Sequence, residues 1–233
     1  MQKSIPFFNR HKVYFSALIA ILIFSLCFLL INGKEAAFIS LNSYHPFWLN
    51  VFFINYTFMG DGIFAICLIA IVFFYFKRKK LGFSLLYAFL ISGIAAQILK
   101  NLISSPRPKL YFEAGTYLNF IDGVTHSGHS SFPSGHTATA FAIATVLALM
   151  LKNKNLQLLI LVAAALVGYS RIYLAQHFLL DVIVGACIGS ISGIAAVYIA
   201  SNVVGINVVG IKLSFKRMHR LPDAGSPNAI QTA

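Results

Sequence analysis

The feature of this sequence that most constrains its fold is a series of long apolar runs. The first, residues 13–32, contains no charged residue in 20 positions. About 20 apolar residues let an α-helix cross the hydrocarbon core of a bilayer, where lipid cannot satisfy exposed backbone polar groups. Five further runs are comparably apolar: residues 55–76, 81–99, 136–151, 155–173 and 177 to beyond 200. The sequence therefore predicts an all-α, polytopic membrane protein, a bundle of six transmembrane helices.

The composition agrees with a membrane protein and excludes several other classes. Hydrophobic residues make up 58% of the 233 residues and charged residues only 10%, whereas a soluble domain has roughly 45–50% and 25%. The 22 Phe, against 6 acidic residues, exclude a disordered or collagen-like chain. Cys27, Cys67 and Cys187 lie inside apolar runs, without the spacing of a metal or disulfide framework. We predict that these cysteines are packing residues.

The basic residues predict the orientation of the chain. With six spans, 13 of the 18 Lys and Arg residues fall on the side of the N-terminus. The positive-inside rule places that side in the cytoplasm. Both termini are then cytoplasmic, and the long loop at residues 100–135 lies outside. The first span is predicted to be a retained helix, because its apolar core is too long for a signal peptide and no small-residue cleavage site follows.

The same pattern divides the chain into a cytoplasmic N-terminus at residues 1–12, a membrane domain at 13–211 and a basic tail at 212–233. The tail carries Pro222, Gly225 and Pro227 among polar residues, and we predict that it is disordered and cytoplasmic. A net charge of +12 is typical of nucleic-acid binding in a soluble protein. Here the basic excess follows the topology, so we expect contact with anionic lipid head groups at the cytoplasmic face and none with nucleic acid.

Three short stretches on the outer side carry polar residues that lipid would disfavour unless they had a use. They read KNLISSPRP at residues 100–108, PSGH at 133–136 and SRIYLAQHFLLD at 170–181. Because they stand at the ends of spans three to six, we expect them on one membrane face. Lys100, Arg107 and Arg171 would then surround a group with several anionic oxygens, which favours phosphate over a single carboxylate.

Two histidines in these stretches suggest chemistry. His177 and Asp181 are four residues apart at a predicted helix start, which places them on one face. A carboxylate that holds one imidazole nitrogen leaves the other lone pair free to act as a base or nucleophile; a buried histidine capped by an acid would show the same spacing. At the start of span four, the backbone N–H groups of Ser134, Gly135 and His136 are predicted to face an anion.

In combination, the three stretches resemble the signature motifs of the type 2 phosphatidic acid phosphatase family, KxxxxxxRP, PSGH and SRxxxxxHxxxD, without a substitution or gap. The resemblance covers roughly residues 50–200 and says little about either terminus. It implies a hydrolase that acts on lipid phosphates or diphosphates through a phosphohistidine, without a metal or other cofactor. It also implies the site residues: His177 as nucleophile, Asp181 as the acid that orients it, His136 as general acid, and Lys100, Arg107, Arg171, Ser134 and Gly135 as phosphate ligands.

Other polar residues receive simpler interpretations. His126, His129 and His136 do not have the ligand set of a usual zinc site, so we expect no metal there. Asp61, about one turn inside the second span, is unusual because an intramembrane acid normally has a partner. A cation of the pocket is a candidate partner, and we assign Asp61 no catalytic role.

Two features concern packing and the membrane surface. Gly185, Gly189 and Gly193 recur every four residues in span six, a stripe that permits close helix packing. We expect it to pack inside the bundle rather than between two copies, although the oligomeric state stays open. Residues 46–54 include Trp48, the single tryptophan, and are predicted to lie at the outer interface.

The sequence thus predicts an enzyme of the bacterial inner membrane, with its site on the periplasmic or outer face. We expect a lipid phosphate substrate of the cell envelope, of the lipid A or undecaprenyl diphosphate type; residues 109–132, which would select among lipids, show no readable code. Two alternatives remain. A phosphotransferase would pass the phosphoryl group to a second lipid, and a non-enzymatic carrier would use the same cations only to bind lipid phosphate.

Overall fold

The computed structural model describes residues 7–112 and 119–203, and in these two ranges every regular element is helical. The predicted disordered tail at 212–233, the first six residues and the end of the sixth predicted span lie outside the described residues. So does a part of the outer loop, residues 113–118. One isolated backbone bridge joins Ser105 to Ser130.

Eight α-helices make up the described chain, with a 3-10 turn at Thr57–Gly60 and a π-helical segment at Ile71–Tyr75. Their bounds agree with the predicted spans to within a few residues, except in the first two. The helices are α1 (Phe7–Leu41), α2 (Phe47–Tyr56), α3 (Gly62–Ala70), α4 (Lys79–Leu102), α5 (Pro108–Tyr111), α6 (Gly135–Met150), α7 (Lys154–Tyr173) and α8 (Leu179–Val203).

The first predicted span is longer in the structure than in the sequence pattern. The helix extends past Asn32, is interrupted at Gly33 and continues to Leu41. Gly33 has φ 75°, which lies in the left-handed region that glycine adopts without strain. The helix therefore changes direction at Gly33, and Lys34 and Glu35 belong to the two turns that follow this kink.

The second predicted span is broken. Helix α2 and the 3-10 turn form one arm, α3 and the π-helical segment form the other, and the two arms meet at a bend of 57°. Asp61 stands at the bend with extended backbone, and its Oδ1 accepts a hydrogen bond of 2.8 Å from the N–H of Ile63. A carboxylate is a good N-terminal cap because it satisfies an N–H that has no partner within the helix. Asp61 thus starts α3.

Length and apolarity identify a multi-pass membrane protein. Among the described residues, four helical stretches are long enough and apolar enough to cross a bilayer, and the bent pair is a fifth if it counts as one span. Helix α6 is apolar but has 16 residues, about 24 Å at 1.5 Å per residue. The four stretches are Arg10–Leu41, Lys79–Leu102, Lys154–Tyr173 and Leu179–Asn202. The count of six spans stays a prediction.

Helix α6 is the centre of the bundle. Twelve of its 16 residues are buried, and it packs against α4, α7 and α8. The side that faces α8 consists largely of small residues, and there the glycine stripe of α8 meets it. A Cβ at Gly189 would lie 2.3 Å from the carbonyl oxygen of Ala138, and one at Gly193 2.8 Å from that of Ala142. The stripe therefore packs within one chain, as the sequence predicted.

This packing predicts that Gly189→Ala destabilises the protein, because the new methyl group meets backbone atoms that cannot rotate away. We expect a loss of about 1–3 kcal/mol, the usual cost of overpacking. Gly93→Ala is the matched control, since a Cβ there meets nothing within 4 Å and alanine favours the helix by about 0.5–1 kcal/mol. Thermal unfolding of both variants in detergent checks this. A Gly189→Ala variant as stable as Gly93→Ala would contradict the close contact.

Candidate active site

The residues of the three sequence motifs lie at one end of the bundle, which we call the site end. Lys100 stands in the last turn of α4, and Arg171 in the last turn of α7. Helix α6 begins beside them with Ser134 as its N-cap, and α8 begins with Asp181 in its first turn. Because α4 and α7 end where α6 and α8 begin, four helix ends of alternating direction bring the motifs together.

Backbone hydrogen bonds connect the motifs to one another. The segment after α4 pairs with the segment before α6: the N–H of Ser105 donates to the oxygen of His129 at 2.9 Å, and the N–H of Arg107 to that of Gly128 at 2.8 Å. The N–H of Ser134 donates to the oxygen of Asp181 at 3.0 Å. These backbone bonds hold the first motif beside the segment that precedes α6 and the second motif beside the third.

His177 and Asp181 are buried next to each other. His177 Nδ1 lies 3.4 Å from Asp181 Oδ2, longer than an ordinary hydrogen bond, and it makes no hydrogen bond within the described residues. The same oxygen accepts hydrogen bonds from Ser131 Oγ at 2.5 Å and from the N–H of Phe178 at 3.0 Å. The expectation that both residues stand in the helix was wrong for His177, because α8 begins only at Leu179.

The protonation of His177 follows from its surroundings. Burial lowers its pKa to about 4, and the positive charges of Arg171 and Lys100 act in the same direction. Asp181 opposes them by favouring the charged ring. Burial dominates because a charged imidazole loses its hydration and finds only one acid beside it. At neutral pH the ring is uncharged and keeps a free lone pair on one nitrogen.

Three cations surround this pair, and each is held by a polar neighbour. Lys100 Nζ donates to the oxygen of Ser130 at 2.8 Å, Arg107 Nη1 to Gln176 Oε1 at 2.5 Å and Arg171 Nη1 to Thr57 Oγ1 at 2.6 Å. Coulomb interactions couple Lys100 with Arg107, Arg171 and Asp181. Arg171 is buried, and its Nε has no hydrogen-bond partner in the described part of the chain. The cluster therefore has donor capacity and positive charge that its own neighbours do not use up.

The start of α6 contributes differently from the prediction for one residue. The N–H of Ser134 bonds to Asp181, and its hydroxyl accepts hydrogen bonds from Thr137, so Ser134 caps the helix rather than offering its N–H to an anion. Gly135 and His136 follow in the first turn, where N–H groups have no partner within the helix. Their amides are the ones that can face an anion.

His136 lies within the electrostatic reach of the whole cluster. Coulomb interactions couple it, in order of size, to Arg171, His177, Lys100 and Arg107. Its imidazole is partly exposed, whereas that of His177 is buried. The structure thus brings the two histidines and the three cations of the sequence prediction together at the site end, in environments of different polarity.

Sequence reasoning missed three residues of the site. Gln176 binds Arg107 and donates to the oxygen of Val124, Ser131 donates to Asp181, and Thr57 accepts from Arg171. The first two stand inside or beside a motif, at positions where the motif pattern has no fixed residue type. Thr57 had no signal, because it comes from a segment far from the motifs in sequence. Asp61, for which the sequence suggested a cation of the pocket as partner, lies 3.7 Å from His136 and interacts electrostatically with Arg171.

Possible metal ligands do not gather in the described part of the chain. No group of three or more His, Cys, Asp or Glu residues there could hold an ion. His126 and His129 are exposed on the outer loop, and the structure gives them no role in the cluster around His136.

Fold and site together define a class: a helical membrane protein that concentrates cations and two histidines at the ends of four helices. The PAP2 superfamily matches residues 81–204, which include all three motifs. The chain belongs to this superfamily, whose members are phosphatases that hydrolyse lipid phosphate esters or diphosphates.

Relatives with different named substrates share this similarity. Phosphatidylglycerophosphatase B of Bacillus subtilis is 30% identical over 61% of this chain and 70% of its own length. The lipid A 4′-phosphatase of Porphyromonas gingivalis is 29% identical over 70% of this chain and 71% of its own length. The undecaprenyl-diphosphatase of Sulfolobus acidocaldarius is 28% identical over 83% of this chain and 94% of its own length. The crystal structure of Aquifex aeolicus LpxE superposes with a TM-score of 0.63 at 34% identity, over 71% of this chain and 94% of that chain.

The buried, uncharged state of His177 predicts a pH effect on stability. The unfolded chain binds a proton at this residue near its ordinary pKa of 6.5, whereas the folded protein does so only near 4. Stability should therefore fall as the pH decreases from 7 to 5, by at most about 2 kcal/mol from this residue. The drop in Tm between pH 7 and pH 5 should be smaller in His177→Gln than in the wild type. Equal drops would contradict an uncharged His177.

Proposed function

We propose that this protein removes phosphate from a lipid phosphate or diphosphate of the cell envelope, through a phosphohistidine at His177. The observation that carries the proposal is a pair of histidines that differ in exposure beside three cations. His177 is buried next to Asp181 and uncharged at neutral pH, as a nucleophile must be. His136 is partly exposed in the same cluster, where it can supply a proton.

The reaction uses the residues in two steps. In the first, the Nε2 lone pair of His177 attacks phosphorus and the bond to the leaving oxygen breaks; that oxygen keeps the bonding electrons and takes a proton from His136. In the second, water attacks the phosphohistidine and gives its proton to His136, which releases inorganic phosphate and restores His177. Asp181 holds Nδ1 of His177 and offsets the positive charge that the ring carries between the steps.

The three cations stabilise the transferring group. Phosphoryl transfer requires mostly positioning and neutralisation of charge on the phosphate oxygens. Lys100, Arg107 and Arg171 supply that charge, and the amides of Gly135 and His136 add donors at a helix start. The free Nε of Arg171 would gain a partner in a bound phosphate. In this proposal no metal ion takes part.

A cavity beside the site supports a lipid substrate. It has a volume of about 430 Å³, and its walls are mainly apolar, from α1, the segment after α4 and the start of α8. Asp181 lies in its wall, so the cavity reaches the acid that stands beside the proposed nucleophile. Lys34 stands at its edge, with Nζ 4.1 Å from the centre of the Phe178 ring and 4.2 Å from that of Tyr111. An amphiphile could place its phosphate on the cations while its apolar part stays between the helices.

The proposal includes the orientation and the division of the chain. Residues 13–211 form the phosphatase domain, with a cytoplasmic N-terminus before it and a cytoplasmic basic tail at 212–233. The distribution of Lys and Arg supports a site on the outer face of a bacterial inner membrane. Relatives named for lipid A and undecaprenyl diphosphate support an envelope lipid as substrate.

We predict that His177→Ala abolishes phosphate release. Purified protein is incubated with phosphatidylglycerophosphate, lipid A and undecaprenyl diphosphate in excess chelator, and both free phosphate and lipid mass are followed. We expect activity to fall at least about 10³-fold, since the nucleophile starts both steps. His126→Ala, which removes an exposed histidine of the outer loop, is the matched control and should keep wild-type activity.

The same assay separates the alternatives. Free phosphate from a single lipid supports a hydrolase, whereas phosphate that appears only on a second lipid identifies a phosphotransferase. A protein that binds the lipids without changing their mass would be a carrier. Full activity of His177→Ala would refute the proposed nucleophile, and complete loss of activity in chelator would refute the metal-independent route.

We further predict that Lys34→Ala weakens the use of lipid substrates and spares small ones. The change removes a cation at the edge of the cavity but touches none of the reacting groups, so KM for a long-chain lipid phosphate should rise about 3- to 10-fold with kcat nearly unchanged. Kinetics with a short, water-soluble alkyl phosphate should not change. Lys109→Ala, which removes an exposed lysine of the outer loop, is the control. Equal effects on both substrates would contradict lipid entry through this cavity.

A further inference from the structure

The break in the second span forms a wall of the site that belongs to none of the three motifs. It consists of the 3-10 turn Thr57–Gly60 and Asp61, which connect α2 to α3. Two of its side chains reach motif residues: Thr57 Oγ1 accepts the hydrogen bond from Arg171, and the Asp61 carboxylate faces His136. An unbroken helix would present these residues at other angles, so the bend of 57° lets Thr57 reach Arg171 and Asp61 reach His136.

Close packing holds the break against His136. A Cβ at Gly60 would lie 2.8 Å from the carbonyl oxygen of His136, 3.0 Å from its Cβ and 2.6 Å from Val167 Cγ1. A side chain at this position would collide with backbone on one side and a packed valine on the other. Gly60 therefore lets the backbone that carries Asp61 touch the start of α6.

One oxygen of the Asp61 carboxylate is held by a hydrogen bond, and the other faces His136. Its Oδ1 accepts the hydrogen bond from Ile63 that caps α3, and its Oδ2 lies 3.7 Å from His136 Nε2, within ion-pair distance. The cap prevents the side chain from rotating freely, so Oδ2 stays directed at the imidazole. The two side chains are 36% and 30% exposed, respectively, which leaves one side of the imidazole open to a substrate.

The charges around His136 make this acid significant. Arg171 and Arg107 are permanently charged, Lys100 carries a further positive charge, and His177 lies in the same cluster. Both the burial of the imidazole and the three cations oppose a positive charge on His136. Asp181 is directed at His177, so Asp61 is the acid that forms an ion pair with His136 within the described part of the chain. The proton that a general acid must hold thus has one nearby carboxylate to stabilise it.

We propose that Asp61 is a positioning residue for the general acid. Its carboxylate accepts a hydrogen bond from Nε2–H of His136 and keeps the ring charged among the cations. In this orientation Nδ1–H of His136 points at the leaving oxygen. This inference depends on the proposed function. In the first step the leaving oxygen takes the Nδ1 proton of His136 as its bond to phosphorus breaks. His136 is then neutral, and its Nε2–H still donates a hydrogen bond to Asp61. In the second step Nδ1 accepts the proton of the attacking water.

The test compares two leaving groups in the full-length wild type and in Asp61→Asn. An alkyl phosphate needs a proton on its leaving oxygen, whereas nitrophenyl phosphate releases a stable nitrophenolate without one. Asparagine keeps a cap for α3 but removes the charge that faces His136. We expect kcat for the alkyl phosphate to fall about 10- to 100-fold, a part of the usual contribution of general acid catalysis. For nitrophenyl phosphate we expect kcat to change by less than about 3-fold, and we expect KM to change little for both substrates.

Two further variants control for structure. Asp122→Asn removes an exposed acid of the outer loop and should behave as wild type. Asp61→Glu keeps the negative charge and should recover part of kcat for the alkyl phosphate, while the Tm of all three variants reports on folding. Equal losses on both substrates, a loss confined to KM, or an unchanged kcat for the alkyl phosphate would overturn the role of Asp61. Absence of phosphate release by the wild type would instead overturn the proposed function.

Discussion

The close contact between α6 and α8 determines the geometry of the whole site. His136 stands at the start of α6, and Asp181 at the start of α8, so the distance between these helices sets the distance between the two halves of the proposed chemistry. A Cβ at Gly185 would lie 2.6 Å from the oxygen of Ser134, at the level of the hydrogen bond between Ser134 and Asp181. In a bilayer no hydrophobic effect drives helices together, and small residues provide the close approach instead.

The cation cluster opposes this packing and explains the polar neighbours around it. Lys100, Arg107 and Arg171 repel one another at the site end, and such repulsion has a cost in stability that a fold without function would avoid. Each cation is therefore held by an oxygen of another segment, from Ser130, Gln176 and Thr57 respectively. These oxygens fix the side chains but do not neutralise them. The cluster keeps its net charge for an anion that several oxygens can share, which suits phosphate.

The sequence predicted most helices and the main site residues because both leave local signals. A run of apolar residues is visible without any knowledge of packing, and the motif residues have fixed spacings at helix ends. The break at Asp61 was not predicted, since an aspartate that caps a helix and one that interrupts it have the same sequence neighbours. The prediction that His177 is helical was wrong for a related reason: the N–H of Phe178 bonds to the side chain of Asp181, and only the structure shows that α8 begins at Leu179, after His177.

Contacts between distant segments were beyond any local pattern. Thr57 and Arg171 are 114 residues apart, and their contact depends on how three helices cross. Gln176 stands one residue before His177, yet its role depends on Arg107, which is 69 residues away. Side chains that serve another side chain, rather than the ligand, carry no spacing rule, and these are the residues that sequence reasoning missed.

The two carboxylates of the site differ in burial, and this difference suits opposite tasks. Asp181 is buried, and its Oδ2 accepts hydrogen bonds from Ser131 and from the N–H of Phe178 while lying 3.4 Å from His177 Nδ1, so two donors share its charge and His177 stays neutral. Asp61 is partly exposed, its Oδ2 lies 3.7 Å from His136 Nε2, and its charge also acts on Arg171. A carboxylate oxygen that already accepts several hydrogen bonds orients a neutral ring, whereas a carboxylate oxygen that faces a ring at ion-pair distance can stabilise the proton of that ring. The same residue type can thus support a nucleophile on one side of the phosphate and an acid on the other, because separate helix starts place the two carboxylates in different surroundings.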